Sequence, residues 1–86
     1  MSDTVALGAP DEAILTCLRD HGPEVEPLVA SRTGLHLKYA RKRCAALLAA
    51  GYIEELDAGY YDLAERGARY LSADRPTGQQ RPANAD

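Results

Sequence analysis

The stretch GLHLKYARKRCAALLAAG, residues 34–51, constrains this chain more than any other. At about 100° per residue, Leu37, Ala40, Cys44, Leu47 and Leu48 fall within about 100° of one another, which is the stripe of a helix docked on a core. Lys38, Tyr39, Lys42 and Ala46 point the other way. Gly34 and Gly51 bracket the segment, each suited to the left-handed backbone at which helices end. A helix of this kind commits one face to a core and presents Lys, Tyr and Lys on the other.

Charge is distributed unevenly around this helix. The 86-residue chain has a net charge of −3, a balance that argues against a polyanionic partner. Residues 27–53, however, hold Arg32, Lys38, Arg41, Lys42 and Arg43 with no Asp or Glu, a local +5 that leaves −8 for the remainder. This asymmetry is more informative than the total. Lys occurs only at 38 and 42 against eight Arg, acids outnumber bases, and Phe and Trp are absent, a usage similar to that of proteins from salt-loving microbes.

The rest of the chain fits one small domain. Chains this short bury only about 60% of their unfolded surface, so association with a second copy is a natural supplement. Residues 1–9 lack periodicity and are expected to be a flexible tail, with the domain over 10–74 and a disordered, proline-bearing polar tail over 75–86. Pro10, Asp11 and Glu12 mark a helix start, Ile14, Leu15, Cys17 and Leu18 give it an apolar face, and Gly22 and Pro23 end it. Glu24 to Glu26 is a short extended link able to pair with a later hairpin. Pro27 opens a second helix, LVASRT, which Gly34 ends. The three-residue step to the next helix is that of a helix-turn-helix corner. YIEEL and YYDL, separated by Asp57, Ala58 and Gly59, form a hairpin with glycine at the left-handed loop position, placing Tyr61 and Leu63 inward and Asp62 outward. A last helix, AERGARYLSA, is expected to bury Ala64, Gly67, Ala68 and Leu71.

The expected fold is therefore α+β and mostly α: helix, short strand, helix, helix, two-stranded wing, helix, a winged helix-turn-helix. Cys17 and Cys44 lie on apolar helix faces, as buried thiols do. With His21 and His36 they lack zinc-ligand spacing, so no metal is expected. No Ser–His–acid cluster and no Gly-rich phosphate loop appears, and Glu54 and Glu55 are adjacent on a strand and so splay apart. Neither catalysis, a cofactor nor a small-molecule ligand is expected. The amino terminus has no basic region preceding an apolar run, and the longest apolar run is too short to span a bilayer, so a cytoplasmic location is expected.

The run TGLHLKYARKRCAALLAAGYIEELDAGYYDLAERGARYL resembles the small winged-helix transcription regulators of halophilic archaea, particularly the halophage-repressor-like group. More distantly it is similar to the multiple-antibiotic-resistance-regulator type. The matching features are the Gly34 turn, the YARKRC segment, the AAGYIE transition and the YDLAERGARYL ending. The resemblance implies a homodimeric repressor of promoters that binds double-stranded DNA. In the major groove side chains read base edges, while phosphate contacts fix position. Lys38 and Lys42, one turn apart, are expected to share a groove segment, with Tyr39 against a thymine methyl or a phosphate. Arg41 and Arg43 are expected to make flank contacts to the two backbones, with Arg32 and His36 near phosphate at the helix start. The wing tip, Asp57, Ala58 and Gly59, departs from basic wings because Glu54, Glu55 and Asp57 surround it. The rival expectation is a protein–protein adapter docking through the acidic hairpin and last helix.

Overall fold

The computed structural model describes residues 7–73, and its elements follow the expected order. These are α1 (Ala9–His21), β1 (Glu24–Val25), α2 (Glu26–Thr33), α3 (Leu37–Ala49), β2 (Ile53–Glu55), β3 (Tyr60–Leu63) and α4 (Glu65–Ala73). The tail expected over 75–86, and residues 1–6 of the one expected before Pro10, lie outside the described residues.

Local chemistry sets the boundaries. At the start of α1 the Asp11 carboxylate accepts the Gly8 N–H at 3.2 Å, satisfying one donor that the helix leaves free. Leu7 packs against the core and Ala9 is already helical, which corrects the expectation that residues 7–9 belong to a frayed tail. Gly34 ends α2 in the left-handed conformation, φ 77° and ψ 12°, and the Gly34 and Leu35 N–H groups both close on the Ala30 carbonyl. At the end of α3, Gly51 takes φ 84°, its N–H donates to Leu48 O, and the Tyr52 N–H donates to Leu47 O. These two bonds form a Schellman closure, and the buried pair Leu47 and Tyr52 supplies the hydrophobic contact that accompanies it.

The sheet has the order β1-β3-β2, all antiparallel, with Glu24 opposite Tyr61 and Ile53 opposite Leu63. The short link before α2 is thus the third strand that the sequence allowed. The hairpin loop places Gly59 at φ 78°, as expected, and also forces Ala58 to φ 63°, a left-handed conformation for a residue with a Cβ. Ile14, Leu15, Leu18, Val29, Cys44, Leu47, Tyr52, Ile53, Tyr61 and Leu71 form the core, which joins all four helices to the sheet.

Three inward placements differ from the helical wheel. Leu37 is 38% exposed, because the wheel gives direction around the axis and not depth along it, and the first turn of α3 overhangs the core. Ala64 is only half-buried, because it lies just before α4 begins. Ala68 is exposed, while Gly67 is buried for a specific reason: a Cβ there would stand 2.3 Å from Tyr52 O and 2.7 Å from Leu63 Cδ1. Gly67 therefore lets α4 close on the sheet of its own chain. Beside it Arg66 lies 4.6 Å above the Tyr52 ring and donates to Ala50 O, while Tyr70 meets Tyr52 edge to face. This is the winged helix-turn-helix arrangement, with α2 and α3 as the corner and β2–β3 as the wing.

Candidate nucleic-acid interface

The seven candidate residues separate into two groups. His36, Lys38, Tyr39 and Lys42 are exposed and together line one shallow surface depression at the amino-terminal half of α3. His36 caps the helix through its backbone: its carbonyl accepts the Ala40 N–H at 2.8 Å, and its side chain makes no capping bond. Lys38 and Lys42 are one turn apart on the solvent side, and neither forms an ion pair among the described residues.

The three arginines are paired. Arg43 makes a bidentate contact with Asp11 of α1, Nε to Oδ1 at 2.7 Å and Nη2 to Oδ2 at 3.0 Å. Asp11 is buried, so this fork ties α3 to the start of α1. The bond to Asp11 pushes the Arg43 guanidinium still further up, holding its charge in place. Arg32 donates to the buried Glu24 carboxylate at 3.1 Å, joining α2 to β1. Arg41 donates to Glu26 at 3.2 Å while its own side chain remains 61% exposed. The second oxygen of Glu26 accepts the Tyr61 hydroxyl at 3.1 Å, so one carboxylate joins α3 to the sheet.

These contacts correct the expectation that the basic run has no compensating acid. Asp11, Glu24 and Glu26 lie outside residues 27–53 in sequence and against it in space. Arg43 thus faces α1 and is taken up by it. What the fold leaves uncompensated on α3 is Lys38 and Lys42. The missed partners Asp11 and Glu26 sit in the first turns of their helices, where an acid is already explained by the helix dipole. That local explanation conceals their tertiary role.

The wing carries the opposite sign. Glu54, Glu55, Asp57 and Asp62 stand on the hairpin, and Glu54 and Asp62 are directly opposite each other across β2 and β3. At the tip, Asp57, Ala58 and Gly59 are all exposed, and none carries a positive charge. Leu56 and Tyr60, each 41% exposed, flank the loop.

Beneath the interface, Cys17 and Cys44 are free, buried thiols. Burial, and secondarily Glu26, pushes the Cys44 thiol up to about 11. Tyr61 is pushed up to about 12, first by burial and then by its hydrogen bond to Glu26. Both groups are neutral over the physiological range. Among the described residues no cluster of three or more His, Cys, Asp or Glu side chains is placed to hold a metal, and no helix is long and apolar enough to cross a membrane.

The chain is similar in fold to the crystal structure of RV1404 from Mycobacterium tuberculosis, with a TM-score of 0.68 over 91% of this chain at 22% identity. The fold is a winged helix. This chain spans 63% of the length of the mycobacterial protein. No family model and no curated protein matches the sequence.

Proposed function

We propose that this chain is a sequence-specific duplex-DNA-binding regulator, acting as a repressor, that seats α3 in the major groove. The observation that carries the reading is the exposed set Lys38, Tyr39 and Lys42 on the outer face of α3, whose lysines have no acidic partner among the described residues. A helix fits the major groove, and lysines one turn apart reach successive acceptors such as guanine O6 and N7. Tyr39 between them offers a ring for a thymine methyl or a hydroxyl for phosphate. His36 lies at the helix start, where free backbone N–H groups and the dipole attract phosphate. Of the three candidate arginines Arg41 is the most exposed and the best placed to exchange its carboxylate for a phosphate. Arg43 and Arg32 act by holding α3 and α2 in place.

The resemblance to haloarchaeal regulators supports the same reading, together with a homodimer. Gly67 is employed inside its own chain and is not available to a second copy. Selection of bound duplexes from a random pool, followed by anisotropy titration, tests the proposal. Enrichment of a short motif is expected, and recovery of an unbiased pool or of no duplex overturns it. A second reading, a protein–protein adapter, is favoured by one observation, the exposed Leu56 and Tyr60 beside the acidic hairpin. Stoichiometric co-purification with a larger chain, and indifference to DNA, would select it.

A further inference from the structure

We infer that the acidic wing counterbalances Lys38 and Lys42, so that duplex affinity is nearly independent of salt; the inference rests on the proposed DNA-binding reading of α3. The charges that remain unpaired decide it. On α3 these are the two lysines, because Arg41 and Arg43 are neutralised by Glu26 and Asp11. On the wing, Glu54, Glu55 and Asp57 are exposed, and no ion pair to them occurs among the described residues. Asp62 adds a fourth carboxylate, which accepts its neighbour's Leu63 N–H at 2.8 Å.

The wing is tied to the lysine-bearing helix through Tyr61 and Glu26. Glu55 pairs with Tyr61 across the sheet, Tyr61 donates to Glu26, and Glu26 holds Arg41 of α3. A continuous series of contacts therefore runs from the wing to the edge of α3. A duplex seated on α3 brings its phosphates toward these carboxylates, and charges within the Debye length of about 10 Å at 0.1 M salt are not screened. The wing acidity is also unfavourable for folding. Glu54 and Asp62 face each other directly, and like charges so placed destabilise a hairpin.

Screening then acts on attraction and repulsion together. Two lysines seated in the groove, each displacing about one condensed counterion, would alone give a slope of log affinity against log salt of about −2 per protomer. The unpaired carboxylates oppose that term, leaving a shallow slope, and binding depends on base contacts and shape. Such an interface keeps its affinity in concentrated salt.

The test is an anisotropy titration of the full chain on a pool-selected duplex and a mixed-sequence duplex from 0.1 to 1 M KCl, beside the triple variant Glu54→Gln/Glu55→Gln/Asp57→Asn. The wild-type slope is expected to be shallower than about −1 per bound protomer, and that of the variant to approach about −2. The variant should bind both duplexes more tightly at 0.1 M and converge with wild type at 1 M, where the Debye length is about 3 Å. A wild-type slope of about −2 or steeper overturns the inference without any variant, as does a variant slope equal to that of wild type. Those results leave the DNA reading intact. Failure of the wild type to bind any duplex overturns both. A thermal melt of the variant, expected to match or exceed wild type because the Glu54–Asp62 repulsion is gone, excludes misfolding as the cause.

Discussion

The two edges of α3 and the face between them carry the same kind of residue to opposite ends. At the edges Arg41 and Arg43 pair with Glu26 and Asp11. On the face Lys38 and Lys42 meet no acid among the described residues. The difference follows from chemistry as well as position. A planar guanidinium can grip both oxygens of a carboxylate, as Arg43 does, while an ammonium is a compact, strongly hydrated charge that stays in water until a phosphate or base replaces that water. Edges therefore hold the helix and the face is left to work.

The sharpest way to break this division is Arg43→Ala. It leaves the buried Asp11 carboxylate without its fork, and orphaning one partner of a buried pair costs about 3 kcal/mol. For a domain of this size the melting temperature should fall by more than about 10 °C. DNA affinity per folded molecule, measured well below the melt, should hardly change. The opposite outcome, a normal melt with lost binding, would make Arg43 a contact residue and dissolve the distinction.

A second probe addresses the Glu26 edge through pH. The folded chain holds Tyr61 near 12 and Cys44 near 11, against 10.0 and 9.0 for the free groups. Both are acids whose folded values are raised, so the neutral forms stabilise the fold below the unfolded values. That stability is lost as pH rises from about 9 to 11 for Cys44 and from about 10 to 12 for Tyr61. Each contributes on the order of 3 kcal/mol at most. Urea midpoints should fall across this window, and in Tyr61→Phe the fall should be confined to its lower part. A flat profile from pH 9 to 12 would mean that neither group is held by burial and Glu26 as described.

On the face itself, Lys42→Ala should leave stability within about 0.5 kcal/mol, as surface substitutions do. Its effect should appear in binding, with about a tenfold loss on the preferred duplex and less on mixed sequence, since a good base contact contributes about 1–3 kcal/mol of discrimination. An equal loss on all sequences would reassign Lys42 to the phosphate backbone.

The division into edges and face also marks how far the sequence could be read. Periods and punctuation are local, so the order of elements, the Gly34 and Gly51 closures, the β1 stub and the wing were all legible. Lys38, Tyr39 and Lys42 were legible because the helical wheel sets direction. The pairing of the arginines was not, because Arg43 and Asp11 are 32 residues apart and Arg41 and Glu26 are 15 apart. Counting charge along residues 27–53 measures neighbours in the chain, whereas neutralisation depends on neighbours in space. Ala58 escaped for a different reason. The loop needs left-handed backbone at two successive positions, and only Gly59 announces one of them.

Arg41→Ala gives the smallest expected effect and tests the boundary between edge and face most finely. Its guanidinium is largely exposed, and exposed ion pairs contribute about 0–1 kcal/mol, so the loss of stability should lie at the low end of that range. Glu26 keeps the Tyr61 hydroxyl as a donor and is not left orphaned. For binding, the two roles of Arg41 predict losses of different size. If it only neutralises Glu26, removing it exposes a carboxylate at the flank of α3 and weakens all duplexes slightly at low salt, with the loss disappearing near 1 M. If it exchanges Glu26 for a phosphate, the salt slope should become shallower by about one. The double variant Arg41→Ala/Glu26→Gln separates the cases: recovery of wild-type affinity assigns Arg41 to the edges with Arg43, and a persistent loss assigns it to the face.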